Sequence, residues 1–134
     1  MPSLGNSFGI PPDPGELEVS IFGPGFGEAV VLHAGEGNWG VVDSCLDPAS
    51  KEPAALGYLE MLGVPVESAV RFVVATHWHD DHIRGLGKTF RQSRQAVFAC
   101  SAAVRSPEIA AALAMSHTTR MLPGGSGLDE LREV

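Results

Sequence analysis

The sequence predicts an α/β fold in which a mostly antiparallel or mixed sheet carries helices on one face. Three observations predict it. Short β-branched runs separated by glycine-bearing turns occupy residues 17–43. Helix-period and strand-like segments alternate after that. An apolar strand then runs directly into a cluster of histidines and aspartates.

Residues 1–15 contain Pro11, Pro12 and Pro14 with glycine and serine, and read as a flexible N-terminal arm before a domain over 16–134. Leu17 to Phe22 alternate apolar and polar, as a half-exposed strand does. Gly23-Pro24-Gly25-Phe26-Gly27 is a turn that draws on glycine's backbone freedom. Ala29 to His33 form the next strand, and Gly35 to Asn38 turn the chain back into Trp39 to Asp43, which completes an antiparallel meander. Pro53 suits the first turn of a helix whose apolar stripe is Ala55, Leu56, Leu59 and Leu62, with Gly63-Val64-Pro65 as the stop. Val70 to Ala75 are apolar enough on both faces to be a central strand. Ile83, Leu86 and Phe90 recur at helical spacing, interrupted by Gly85 and Gly87. Gln95 to Cys100 read as a last strand. Ser106-Pro107-Glu108 caps a helix with Ile109 and Leu113 on its buried stripe, and Ser126 starts another with Leu128 and Leu131.

Thr76-His77-Trp78-His79-Asp80-Asp81-His82 carries the chemistry. Three of the chain's five histidines and two aspartates fall between His77 and His82. Imidazole and carboxylate are the donors a borderline divalent cation such as Zn²⁺ prefers. If the extended conformation persists past Thr76, His77 and His79 point to one side, and Asp81 with His82 close on the same space from the following turn. The candidate metal ligands are therefore His77, His79, Asp81 and His82. Asp80 reads as solvated, Trp78 as packed beneath the loop, Arg84 as part of a solvated helix face and His33 as an ordinary strand histidine.

At 134 residues and 44% hydrophobic composition the chain reads as one soluble globular domain or a piece of one. No apolar run approaches the roughly 20 residues of a membrane span. No positively charged leader is present before Lys51, and Cys45 with Cys100 form no disulfide framework. Both cysteines read as free buried thiols, and together these features point to the cytoplasm. The formal charge is −7, and residues 1–50 hold seven acids and no base. Such a balance does not attract nucleic-acid phosphates or a membrane by itself.

The spacing His-x-His-x-Asp-His resembles the signature of the metallo-β-lactamase superfamily of metal-dependent hydrolases. Val41-Val42-Asp43 resembles that family's early strand ending in an aspartate, and Gly25-Phe26-Gly27-Glu28-Ala29 its glycine-rich turn, although Ser44-Cys45 follows the aspartate where the family usually has a small residue and glycine. The resemblance implies the N-terminal half of an αββα sandwich, with one or two Zn²⁺ ions or another divalent metal. His77 and His79 would hold the first ion, and Asp81 and His82 the second. Asp81 would count as catalytic and Asp43 as a supporting carboxylate behind the ligands. It implies hydrolysis at a carbonyl or phosphorus centre of a small-molecule or phosphodiester substrate of unspecified class.

The family's remaining ligands lie in a C-terminal half that the resemblance does not reach, so the chain reads as a truncated domain. His117, in Ser116-His117-Thr118-Thr119, is the one further histidine that could serve, although its default role is at a helix C-terminus. Two function classes stay open: a zinc hydrolase incomplete as this chain, or a non-catalytic metal-binding fragment that needs a partner or a C-terminal half. Half a sandwich would expose an apolar sheet face and self-associate through it.

Overall fold

The computed structural model describes residues 9–100 apart from 24, 26 and 78, and at residue 80 the backbone only. Its sheet has five strands in sequence order: β1 (Glu18–Phe22), β2 (Ala29–His33), β3 (Trp39–Val42), β4 (Val70–Ala75) and β5 (Val97–Cys100). β1, β2 and β3 are antiparallel neighbours, whereas β3–β4 and β4–β5 pair in parallel. The meander and the central placement of β4 match the sequence expectation, and the sheet is mixed.

Parallel neighbours need crossovers. The first consists of α1 (Ala54–Met61) and the short α2 (Val66–Ala69), the second of α3 (Asp80–Ile83) and α4 (Leu86–Gln92). The expected α1 stripe holds, since Ala55, Leu56, Leu59 and Leu62 are all buried. The helix stops at Gly63, whose φ of +70° lies in the left-handed region that ends helices. The helical spacing after His82 is broken into two helices at Gly85, where φ is +84°. A Cβ there would come within 2.9 Å of Leu46 and Pro53 side chains, so glycine is needed for conformation and for room. β5 starts at Val97 rather than Gln95, because Ala96 donates to Ser93 in the preceding turn and Gln95 to Glu67 of α2.

One sheet face is covered. Val31, Val41, Val73 and Ala75 pack with Ala55 and Leu59 of α1, Ile83 of α3 and Leu86 of α4. Each of these side chains is removed from water, the main favourable term in folding. At the β1 edge this face turns polar. Tyr58 donates to Glu18 at 2.5 Å, and Ser20 donates to the Tyr58 hydroxyl at 3.2 Å. The alternation in β1 is therefore reversed from the usual inward-apolar arrangement: Glu18 and Ser20 face α1, while Val19 and Ile21 face away and are 62% and 70% exposed.

The opposite face is apolar from edge to edge. By pairing register it carries Val19 and Ile21 of β1, Val30 and Leu32 of β2, Val42 of β3, Phe72 and Val74 of β4, and Val97 and Ala99 of β5. Phe72 lies across Gly40, its register partner, so closely that a Cβ on Gly40 would fall within 1.9 Å of the ring. No helix among the described residues covers this side or is long and apolar enough to cross a membrane.

Of the N-terminal arm, Asp13 and Glu16 close a turn, and the Pro14 carbonyl accepts the Glu36 N–H at 2.7 Å. The helices expected from Ser106 and Ser126, together with His117, lie outside the described residues.

Candidate metal centre

β3 and β4 run parallel, so their C-terminal ends meet at one end of the sheet, the position where open α/β sheets gather ligands. Asp43 follows β3 directly. Its N–H continues the ladder by donating to Val74 O at 2.7 Å, and its φ of +58° then turns the chain out of the strand. Thr76 and His77 follow β4. After them the backbone coils into α3, with the His82 N–H donating to His79 O at 2.9 Å.

That coil sets the geometry of the motif. It brings His82 back over His77, their ring centroids 4.8 Å apart, while His79 stacks nearly parallel to His77 at 6.3 Å. Asp43, His77 and His82 each place a potential ligand atom within 4.8 Å of the other two. Asp43 is buried, His82 half-buried and His77 exposed, which is a graded opening toward solvent. Asp81 approaches the other side of His82, with Oδ2 at 3.6 Å from Nε2. All four sequence-predicted ligands therefore stand at one end of the sheet. The tightest group crosses the expected pairs: His77 joins His82 and Asp43, because α3, starting at Asp80, carries His82 back toward the end of β4.

Asp43 is the hub. Its Oδ1 accepts the Thr76 N–H at 2.7 Å, and its Oδ2 accepts the Thr76 hydroxyl. Oδ2 also lies 3.1 Å from His82 Nδ1. The Thr76 hydroxyl has one proton. Given to the carboxylate, that proton leaves Oγ1 to accept from His77 Nδ1, which is 2.8 Å away. An ionised Asp43 thus assigns the protonated nitrogen of both rings, directly on His82 and through Thr76 on His77. The Nε2 lone pairs of both rings are then available to a cation, and such orientation by an outer carboxylate is how metal-binding imidazoles are usually set.

Two neighbours hold the motif in place. Glu28 donates its N–H to Asp81 O at 2.9 Å, and a Cβ on Gly27 would fall 2.5 Å from that same oxygen. Gly27 has φ of +90°, so the glycine-rich turn is shaped to seat against the α3 backbone. From the other side Ser44 donates its N–H to His82 O at 2.5 Å and its hydroxyl to Arg84 O at 2.8 Å.

Thr76 is the site residue that motif reading passed over. A hydroxyl residue directly before the first histidine was its only signal. His33 is buried against Trp39, with Nε2 accepting the Gly37 N–H at 3.3 Å, which agrees with a structural strand histidine. Cys45 is free and buried. Its thiol is pushed above the ordinary value by burial first, then by the Glu28 and Asp47 carboxylates. Cys100 is free but only half-buried, which corrects the expectation of two buried thiols: β5 is an edge strand with nothing described beyond it. Arg84 is exposed, and the expected roles of Trp78 and of the Asp80 side chain lie outside the described residues. No protein-family model matches the chain, and no curated protein matches it.

Proposed function

We propose that this chain is a metal-dependent hydrolase of the metallo-β-lactamase type, corresponding to one sheet and helix layer of the αββα sandwich. The convergence of Asp43, His77 and His82 at the C-terminal ends of two parallel strands supports this reading. The donor chemistry fits a divalent ion such as Zn²⁺. Two imidazoles have Nε2 available, one carboxylate sets their tautomers, and the Asp81 carboxylate stands beside His82.

His77 and His82 would hold the ion, with His79 and Asp81 as the adjacent donors for it or for a second one. A bound ion of this kind supplies Lewis acidity to a carbonyl or phosphoryl oxygen and acidifies water. The chain's own residues do the positioning: Asp43 and Thr76 hold the rings, while Gly27, Glu28 and Ser44 hold the α3 backbone. Substrate is a small molecule or phosphodiester.

The test is zinc titration of purified protein by calorimetry, beside assays on a generic phosphodiester and a generic thioester. Stoichiometric zinc that is lost in H77A and H82A, with turnover that depends on it, is the expected result. Zinc uptake indifferent to both substitutions would remove the metal site and the hydrolase reading with it.

A second reading, a metal-binding piece that works only against a partner, draws on a different observation. The face bearing Ile21, Leu32, Val42, Val74 and Val97 is apolar and lacks a covering layer among the described residues. Zinc binding without turnover on any substrate, coupled to self-association, would favour it.

A further inference from the structure

A separate concavity lies between the loop that leads into α1 and the start of α4. Its volume is about 310 Å³, at the lower end of the range for small-molecule sites. Four of the chain's nine lysines and arginines line it: Lys51, Arg84, Lys88 and Arg91. One carboxylate, Glu52, also lines it and is ion-paired with Lys88. In a chain of net charge −7, gathering Lys51 and Arg84 beside the Lys88–Glu52 pair opposes the general trend of the sequence, and like charges at this spacing favour an anion between them.

The backbone that presents these side chains is fixed. Leu46 and Pro53 pair across the neck of the loop, Asp47 donates to Glu52 O at 2.8 Å, and Lys51 donates to Asp47 O at 2.9 Å. Lys51 itself has φ of +62°, an unusual conformation for a residue with a side chain, and these bonds hold it there. On the opposite wall Arg84 is anchored through its carbonyl by the Ser44 hydroxyl, and Gly85 lies against Leu46 and Pro53 too closely for any side chain. Cations presented from rigid backbone lose less freedom on binding an anion than cations on a mobile surface.

We propose that this cleft binds a phosphate-bearing small molecule through a di- or triphosphate group. Two arginines suit it: guanidinium forks match phosphate oxygens two at a time, and lysine adds point charge. The volume admits a pyrophosphate with part of whatever bears it. The cleft shares no side chain with Asp43, His77 or His82, so the proposal stands whether or not those residues hold a metal.

The experiment is calorimetric titration of metal-free protein with inorganic pyrophosphate at fixed ionic strength, since pyrophosphate would otherwise compete for zinc. ADP and orthophosphate are titrated alongside. One pyrophosphate per chain is expected, with orthophosphate weaker. ADP tighter than pyrophosphate would identify a nucleotide as the source, and equal affinity the bare diphosphate. K51Q/R84Q should weaken binding about tenfold or more, as loss of charge-assisted contacts does. R71Q/R94Q makes the same charge change outside the cleft and should leave affinity within about twofold. On the unaltered chain, pyrophosphate should shift the backbone amide resonances of residues 51, 52 and 84–91, a readout independent of any substitution. No saturation by about 10 mM, equal loss in the two double variants, or shifts confined to other residues would each overturn the proposal.

Discussion

Asp43 and His82 lie thirty-nine positions apart in the chain, yet Oδ2 of one and Nδ1 of the other stand 3.1 Å apart. The contact joins the end of β3 to the first turn beyond β4, and it accompanies a pair of hydrogen bonds from Thr76 to the same carboxylate. A single carboxylate thus has a structural role and a tautomer-setting role, and substitution can separate them.

Asn tolerates the left-handed backbone at position 43 and keeps an acceptor for the Thr76 N–H. D43N should therefore stay within about 1 kcal/mol of the parent in urea denaturation, while zinc affinity falls roughly 10- to 100-fold. T76V should lower zinc affinity in the same direction, because it cuts the relay to His77. Unchanged zinc binding in both variants would show that the rings are oriented by something else.

Gly27 faces a harder constraint. Alanine there would place a methyl 2.5 Å from Asp81 O at a φ of +90°. G27A should cost about 2–3 kcal/mol by combined overpacking and backbone strain. It should also displace the Asp81–His82 segment, which amide chemical shifts of α3 would report. An unperturbed α3 would mean that the turn does not seat the motif.

Alkaline pH should destabilise the protein. Burial first, then the hydrogen bond with Glu18, pushes the Tyr58 phenol above its ordinary 10.0, and Cys45 is likewise raised above 9.0, by burial first and then by Glu28 and Asp47. A folded pKa above the unfolded value means that the native state resists losing the proton. The stabilisation is complete below the unfolded value and is lost as pH rises through the folded one. Urea midpoints should hold steady near neutrality and fall from about pH 9 upward, and C45A/Y58F should flatten that fall. A decline equally steep in the double variant would place the titrating groups elsewhere.

The uncovered sheet face makes a prediction about association. Val19, Ile21 and Val97 are each more than half exposed on the two edge strands. Lysine at such positions blocks edge and face contacts. I21K and V97K should shift sedimentation profiles toward monomer without loss of helix or sheet signal. A parent chain that is already monomeric at high concentration would contradict self-association through this face.

The β-branched runs and glycine turns made the meander legible, and the Ala55–Leu62 stripe gave α1, because these signals are local. Relations across the sheet were less legible. The sequence of β1 alternates cleanly, yet alternation says only that the two faces differ. Tyr58, forty residues from Glu18, decides that the polar side turns inward. The six positions His77–His82 identified the site by donor type, but their grouping depended on where strand gave way to helix. Thr76 acts through Asp43, thirty-three residues away, and so had no visible partner in its own neighbourhood.

Because β3 and β4 are parallel, the carboxylate and the imidazoles reach each other only after the whole α1–α2 crossover has folded between them. The histidine-rich heptapeptide is consequently not a portable module. Grafted into another loop it would take its donors along without the group that decides which nitrogens carry protons. Closing a loop of this length costs entropy before its contacts give any return, so the contact is expected to form late in folding. An ion held by His77 and His82, with Asp43 behind the rings, would fasten a segment that has already folded. It should show its effect as a slower rate of unfolding, with little change in the rate of folding.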